Sequence, residues 1–124
     1  MATIFIVDDE PALHELYGEF LEMRGHKIVA NAYDGDEAVE MFKSMDTPPE
    51  IVIMDHRMPN KNGIKATREI LEINSNTKII LASADDAVKS SALKSGACRF
   101  MLKPFDVENL LAEIKEMIEA SSFR

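Results

Sequence analysis

Residues 51–59 read Ile-Val-Ile-Met-Asp-His-Arg-Met-Pro, a continuous apolar run that ends at an acidic residue. Short apolar runs without polar alternation are typical of strands that are covered on both faces of a sheet. Four similar runs occur elsewhere in the chain, so the sequence predicts five buried strands. In chain order, the predicted strands are residues 3–7, 27–31, 51–54, 78–82 and 99–102.

Amphipathic helical patterns fill the intervals between the predicted strands. Asp34 and Asp106 precede two of these patterns and are expected to cap the helix N-termini. The third helix is expected over residues 63–73 and the fourth over residues 86–95. The apolar stripes of the first, second and fifth helices are Leu13, Leu16, Tyr17, Phe20 and Leu21; Ala38, Met41, Phe42 and Met45; and Val107, Leu110, Leu111, Ile114 and Ile118.

Strict alternation of strands and helices predicts an α/β fold, in which helices cover both faces of a doubly wound parallel sheet. Two strand orders are common for this pattern, and the flavodoxin-like order 2-1-3-4-5 is the one that fits five strands. We therefore expect a three-layer α/β/α domain with five helices. A chain of 124 residues is long enough for one such domain and too short for two.

Composition argues against several classes of partner. The formal net charge of −8 disfavours direct binding of nucleic acid or of an anionic membrane surface. No apolar run approaches the roughly 20 residues that span a bilayer, and residues 1–7 lack the features of a signal peptide, so a cytoplasmic protein is expected. Cys98, the only cysteine, is expected to be a buried, inert thiol, and His14 and His26 are expected at the surface.

Polar residues stand at the ends of the predicted strands. Asp8 and Asp9 follow the first strand, Asp55 the third, Ser83 the fourth and Lys103 the fifth. In an open parallel sheet, the ligand crevice lies beyond the carboxyl ends of the strands, at the point where the strand order reverses. We therefore expect three carboxylates, a hydroxyl group and an ammonium group to converge on one crevice.

This set of groups favours a hard cation together with a phosphoryl group. Neighbouring carboxylates repel one another, and oxygen ligands without His or Cys favour Mg²⁺ over zinc. Mg²⁺ commonly binds carboxylates together with phosphate oxygens, which Lys103 and Ser83 would also contact, and an aspartate nucleophile would give an acyl phosphate. Taken singly, Asp8 and Asp9 are more typical of a solvated loop, and Asp55 and Ser83 of helix or turn caps.

Five motifs occur in order at these positions: Val7-Asp8-Asp9-Glu10, Asp55-His56-Arg57-Met58-Pro59, Gly63, Ser83-Ala84 and Lys103-Pro104-Phe105. Together they resemble the receiver domain of response regulators over nearly the whole chain. The resemblance implies that Asp55 is the phosphoacceptor. It also implies that Asp9, Asp55 and the backbone carbonyl of Arg57 bind Mg²⁺ directly, while Asp8 acts largely through metal-bound water.

The same resemblance implies how the site would change when Asp55 is phosphorylated. Ser83 is expected to move towards the phosphoryl group, and Lys103 to bridge to it. Phe100 matches the aromatic residue that swings inward as the hydroxyl moves, although a plain core residue of an edge strand is the alternative. The peptide bond between Lys103 and Pro104 is expected to be cis.

Two further positions are expected to tune the reaction rate. Arg57 lies two residues after Asp55, and Asp85 lies two residues after Ser83. Both side chains are expected to overhang the phosphoryl site, where they pair with each other or compete for the phosphoryl group and so set how fast water removes it. The alternative is a pair of screened surface charges with little effect.

Three other functional classes share some of these sequence features. A haloacid-dehalogenase-like phosphatase needs a second aspartate two positions after the nucleophile, where this chain has Arg57. A flavodoxin-like electron carrier needs a phosphate loop rich in hydroxyl groups and glycine after the first strand, where three acidic residues would repel a flavin phosphate. A degenerate receiver that only binds partners stays open, although the intact acidic, serine and lysine set argues against it.

We interpret residues 1–124 as a single receiver domain without an output domain. The expected partner is a sensor histidine kinase or a histidine phosphotransfer protein, and the chain is expected to catalyse its own phosphorylation and dephosphorylation rather than turn over an external substrate. Mg²⁺ is the expected ion, with Mn²⁺ or Ca²⁺ as substitutes. The signal is expected to reach a protein target through the fourth helix, fifth strand and fifth helix, including Lys89, Lys94 and Arg99. Chemotaxis and phosphorelay roles both stay open, as do a monomer and a weak dimer.

Overall fold

The computed structural model describes residues 1–121 and contains a five-stranded parallel sheet in the order β2-β1-β3-β4-β5. The predicted fold class and strand order are therefore confirmed. The strands are β1 Thr3–Val7, β2 Lys27–Ala32, β3 Ile51–Asp55, β4 Lys78–Ser83 and β5 Arg99–Leu102. The helices are α1 Pro11–Met23, α2 Gly35–Ser44, α3 Gly63–Ile73, α4 Lys89–Lys94 and α5 Val107–Ser121.

Two apolar layers enclose the sheet, which explains why the strands read as continuous apolar runs. On one face, Phe5 and Val7 of β1 pack in a cluster with residues of α2, α3 and α4. On the other face, Ile4 and Ile6 of the same strand pack with residues of α1 and α5. All five residues of β3 are buried, as expected for the central strand of a sheet covered on both sides.

Two helix N-termini carry the predicted caps, and the fourth helix begins later than predicted. The Asp34 carboxylate accepts a hydrogen bond from the backbone N–H of Glu37, and Asp106 accepts one from that of Asn109, so both predicted caps are confirmed. The predicted fourth helix is shorter than expected. Its first turn is a 3-10 turn at Asp86–Val88, which the side chain of Asp85 caps by accepting from Ala87 N–H.

The buried face of α1 differs from the predicted stripe. Leu16 is 51% exposed, whereas His14, Tyr17 and Leu21 are buried. The prediction that His14 is a surface residue is therefore wrong, because this side chain finds polar partners inside the molecule. His26 is half-buried, and its Nδ1 accepts a hydrogen bond from Ala2 N–H at 3.0 Å.

The prediction of a buried thiol is also wrong, since Cys98 is exposed. It immediately precedes β5, where its backbone N–H donates to the carbonyl of Ile79 at 2.7 Å. An apolar residue type alone does not distinguish a buried strand position from the turn that leads into the strand. None of the helices within residues 1–121 has the length and apolar character that a bilayer-spanning segment requires.

Gly18 lies in the middle of α1, where a glycine is unfavourable by about 1 kcal/mol relative to alanine. A methyl group at this position would meet no atom outside the helix within 4 Å. We expect Gly18→Ala to raise the free energy of unfolding by about 1 kcal/mol, measured by urea denaturation. Gly63→Ala is the contrasting variant and should destabilise, because its methyl group would overlap the backbone carbonyl of Asp55. An unchanged or lower stability of Gly18→Ala would contradict the prediction.

Candidate functional site

The carboxyl ends of the central strands bring the acidic residues together. Val7 of β1 pairs with Met54 of β3, so Asp8 follows its strand beside Asp55. One oxygen atom from each carboxylate of Asp8, Asp9 and Asp55 can be chosen so that all three lie within 4.8 Å of one another. Asp8 and Asp55 are buried, whereas Asp9 is exposed. The structure thus places the three predicted acidic residues in one cluster with an open side.

Lys103 enters the same cluster from the end of β5. Its Nζ lies 3.0 Å from Asp8 Oδ2 and 3.0 Å from Asp55 Oδ1, and its side chain is only 18% exposed. The peptide bond between Lys103 and Pro104 is cis, and the backbone N–H of Lys103 donates to the carbonyl of Ser83 at 2.8 Å. A single ammonium group therefore faces three carboxylates, so the cluster carries excess negative charge.

Burial and the charges of the cluster shift the pKa values of Asp55 and Lys103. Burial, followed by the charge of Asp8, raises the pKa of Asp55 from 3.8 to about 6, against the opposing effect of Lys103. Burial lowers the pKa of Lys103, but its hydrogen bond to Asp8 and the charge of Asp55 outweigh burial and raise this pKa to about 12. The lysine therefore stays charged at neutral pH, whereas Asp55 is an acid whose negative charge the protein alone stabilises poorly.

Ser83 is buried at the end of β4, and its Oγ accepts a hydrogen bond from the backbone N–H of Asp85 at 3.0 Å. The hydroxyl group thus holds the loop that leads to α4. Above it, Arg57 Nη2 donates to Asp85 Oδ2 at 3.4 Å, and the Arg57 side chain is largely exposed. The two side chains that were expected to pair are in contact, while their effect on phosphate loss stays a prediction.

Phe100 packs against the core, whereas Gly63 shapes the loop after β3. Phe100 on β5 is half-buried and packs against the cluster formed with α2, α3 and α4. Gly63 begins α3, and its N–H donates to the carbonyl of His56 at 2.9 Å. Because a side chain there would overlap the Asp55 carbonyl, glycine allows the loop after β3 to fold back onto the strand end.

Tyr17 belongs to the predicted apolar stripe of α1, and its side chain also lies close enough to the acidic cluster to feel the charges of Lys103 and Asp8. Its ring stacks with Phe105, with the ring centroids 6.1 Å apart. Burial raises the pKa of the Tyr17 hydroxyl group, and the charges of Lys103 and Asp8 act on it as well. The position of Tyr17 in a helical stripe does not predict this location beside the cluster, which depends on where α1 crosses the end of the sheet.

A flavodoxin-like sheet with three acids and a lysine at the reversal of its strand order is the architecture of a two-component receiver. The chain belongs to the response regulator receiver domain family, whose model matches residues 4–115. The chemotaxis protein CheY of Thermotoga maritima is 35% identical over 116 residues, which cover 92% of this chain and 95% of that protein. CheY of Bacillus subtilis is 34% identical over 117 residues, covering 93% and 96%.

Solved structures of relatives show the same fold. The CheX-CheY-BeF3-Mg²⁺ complex from Borrelia burgdorferi matches with a TM-score of 0.87 at 29% identity, covering 94% of this chain and 88% of that chain. The response regulator TrrA from Thermotoga maritima, in complex with Mg²⁺ and BeF, matches with a TM-score of 0.82 at 32% identity, covering 94% and 98%. The chain is therefore a receiver domain of two-component signalling, a switch that phosphorylation activates.

Proposed function

We propose that Asp55 is the phosphoacceptor of this receiver. The observation that carries the proposal is the position of its carboxylate, which is buried at the end of the central strand, 3.0 Å from Lys103 Nζ and within the cluster of three acids. Asp8 is also buried and contacts Lys103, but both of its carboxylate oxygens are engaged, Oδ2 by Lys103 and Oδ1 by the backbone N–H of Glu10, and Asp9 is exposed.

The acidic cluster fits a divalent cation that prefers oxygen ligands. Its three carboxylates lie within reach of one ion, and burial, together with the negative charge of Asp8, raises the pKa of Asp55 despite the opposing charge of Lys103. We propose that Asp9, Asp55 and the backbone carbonyl of Arg57 would hold Mg²⁺, with Asp8 acting through water and Mn²⁺ or Ca²⁺ as substitutes. When bound, the ion would neutralise the carboxylates and the phosphoryl oxygens.

The protein groups divide the remaining work. A carboxylate oxygen of Asp55 attacks phosphorus, so that an O–P bond forms while the P–N bond of a donor phosphohistidine breaks and imidazole leaves. The ammonium group of Lys103, already in contact with Asp55, stabilises negative charge on the transferred group. Hydrolysis reverses the modification when water attacks phosphorus and releases the Asp55 carboxylate. The receiver then catalyses reactions only on itself, not on an external substrate.

We propose that the response begins at Ser83. Its hydroxyl group would leave the backbone N–H of Asp85 and donate to a phosphoryl oxygen, which moves the loop before α4 and gives Phe100 space to turn inward. The altered surface would comprise α4, β5 and α5, with Lys89 and Lys94 exposed on it. Arg99, which was also assigned to this surface, is bound to Glu113 at 3.0 Å and therefore offers a target less free charge.

The wider assignment follows from the same chemistry. The proposed donor is a sensor histidine kinase or a histidine phosphotransfer protein, and the proposed output is binding to another protein rather than to nucleic acid. Residues 1–124 are proposed to act as one receiver unit in the cytoplasm, as a monomer or a weak dimer. These assignments rest on the receiver class and on the acidic composition of the chain.

The proposal is tested with a small acyl phosphate as donor. The protein is incubated with acetyl phosphate, in one sample with Mg²⁺ and in the other with a chelator, and its intact mass is measured in both. We expect the mass to increase by one phosphoryl group in the presence of Mg²⁺ and to stay constant in its absence. No mass increase under either condition, together with an intact fold, would favour a receiver that only binds partners.

The contact between Arg57 and Asp85 gives a prediction about the lifetime of the phosphorylated state. The two side chains are 75% and 38% exposed, and we expect them to control how water approaches the phosphoryl group. We expect Arg57→Ala and Asp85→Ala each to change the rate of phosphate loss by at least about threefold, which corresponds to about 0.7 kcal/mol of barrier. Their effect on unfolding should stay below about 1 kcal/mol, because the pair is exposed. Unchanged lifetimes in both variants would reject the idea.

A further inference from the structure

The backbone between Asp8 and Asp9 has an unexpected partner in α1. His14 is buried, although it carries a polar ring, and its Nε2 lies 2.7 Å from the backbone carbonyl oxygen of Asp8. A carbonyl oxygen can only accept a hydrogen bond, so Nε2 carries the hydrogen and donates it. This bond joins α1, near its N-terminus, to the peptide unit that links Asp8 and Asp9.

The other side of the ring is anchored as well. His14 Nδ1 lies 2.7 Å from the side-chain oxygen Oδ1 of Asn31 on β2, and the ring packs against Tyr33 with centroids 4.3 Å apart. A neutral ring satisfies both contacts when Asn31 presents its amide nitrogen, which exchanges with the oxygen by a half-turn of the group. The ring is thus fixed on two sides and has little freedom to release the Asp8 carbonyl.

The Asp8 carbonyl belongs to the same planar peptide unit as the backbone nitrogen of Asp9. The orientation of that plane therefore sets the direction in which the Asp9 side chain leaves the backbone. On the other side of Asp8, its N–H donates to the carbonyl of Ala32 on β2. Both backbone groups of Asp8 are thus held, one by the sheet and one by His14.

Asp9 depends on this support more than the other two acids do. Asp8 and Asp55 both contact Lys103, whereas Asp9 is exposed and, within residues 1–121, forms no side-chain hydrogen bond or ion pair. Its carboxylate is therefore directed by the backbone alone. A small rotation of the peptide plane between Asp8 and Asp9 would move this carboxylate away from Asp55.

We propose that His14 is a positioning residue for metal binding, which acts by fixing the peptide unit between Asp8 and Asp9 so that the Asp9 carboxylate faces Asp55. The inference rests on the proposed Mg²⁺ site and adds a residue outside its ligands. Supporting groups of this kind commonly change metal affinity by about ten- to a hundredfold when they are removed.

Mg²⁺ affinity is the direct measure of this role. His14→Leu removes the donor and keeps an apolar side chain in the space, and we expect it to raise the midpoint of an Mg²⁺ titration, followed by NMR chemical shifts, about tenfold. His14→Gln retains an N–H donor and should recover most of the loss. Asn31→Ala, which frees the ring without touching the Asp8 carbonyl, should weaken binding less than His14→Leu does.

A loss of stability alone must be separated from a loss of positioning. Leu21→Ala is the control, because Leu21 is fully buried on the same helix but makes no contact with the acids. We expect Leu21→Ala to lower the melting temperature while leaving the Mg²⁺ midpoint unchanged. Phosphorylation by acetyl phosphate at saturating Mg²⁺ should return to the wild-type rate in His14→Leu, since only the binding step is impaired.

Two results would overturn the inference: an unchanged Mg²⁺ midpoint in His14→Leu, or an equal shift in Leu21→Ala. Failure of the underlying site gives a different pattern. If wild-type protein does not bind Mg²⁺, or if Asp9→Asn binds it as tightly as wild type does, the proposed metal site itself is wrong. The titration in the absence of any phosphoryl donor therefore distinguishes the two failures.

Discussion

Asp55→Asn is expected to abolish phosphoryl uptake, because it removes the oxygen that we propose as the nucleophile while preserving the size of the side chain. Incubation with acetyl phosphate and Mg²⁺ should leave the intact mass of this variant unchanged under conditions in which wild-type protein gains one phosphoryl group. Asp9→Asn serves as the matched control, since it also removes one negative charge but retains Asp55. It should still accept the group at elevated Mg²⁺. Full phosphorylation of Asp55→Asn at another residue would overturn the assignment.

The same variant should be more stable than wild type when metal is absent. The pKa of Asp55 is raised from 3.8 to about 6 in the folded protein, so folding favours its protonated form. A raised pKa adds no penalty below pH 3.8, and stability is lost as the pH rises through about 6. At about pH 7, the shift corresponds to a penalty of about 3 kcal/mol, which Asn avoids.

Urea denaturation in the presence of a chelator provides the measurement. We expect Asp55→Asn to exceed wild type by up to about 3 kcal/mol at about pH 7 and by almost nothing at about pH 3. Asp9→Asn should show a smaller gain at neutral pH, since Asp9 is exposed and its charge is solvated. A stability difference that does not vary with pH would show that packing, rather than charge, is responsible.

Lys103→Met should be among the most damaging substitutions for stability. It removes the ammonium group that contacts both buried acids and leaves Asp8 and Asp55 facing each other without a cation. Removing one partner of a buried ion pair commonly costs about 3–5 kcal/mol, and we expect a loss of about 3 kcal/mol at neutral pH in the absence of metal. Phosphorylation at Asp55 should also slow strongly, because the ammonium group that we propose to stabilise the transferred charge is missing.

The charge-based explanation of this loss can be tested separately from packing. Saturating Mg²⁺ should recover part of the stability of Lys103→Met, and the double variant Asp55→Asn/Lys103→Met should be more stable than Lys103→Met alone. Lys89→Met, which changes an exposed lysine on α4, is the control and should alter stability by less than about 0.5 kcal/mol. Equal losses in the two lysine variants would contradict the role of Lys103.

The fold and the main cluster were predictable because both depend on short-range patterns combined with one topological rule. Continuous apolar runs identified the five strands, and the parallel order then required Asp8, Asp55 and Lys103 to meet at one edge of the sheet. The strands β3 and β4 each extend one residue beyond the predicted limit, so Asp55 and Ser83 belong to the rigid sheet itself.

The remaining features depend on how the elements pack, which spacing does not reveal. His14 lies on the same side of α1 as Tyr17 and Leu21, roughly 200° around the helix from Leu16, and only the positions of β2 and of the loop after β1 decide that this side is buried. Cys98 is exposed because the turn before β5 lies outside the sheet. The pairing of Arg99 with Glu113 likewise requires knowledge of the angle at which α5 crosses β5.

The hydrogen bond from the Asp85 backbone to Ser83 has a consequence for the resting behaviour of the pathway. In the response proposed for Ser83 this bond must break, and because a bond of this kind is worth about 1 kcal/mol, it would reduce activation in the absence of a phosphoryl group by about fivefold. A receiver whose serine hydroxyl group is held in this way would bind its target less before phosphorylation.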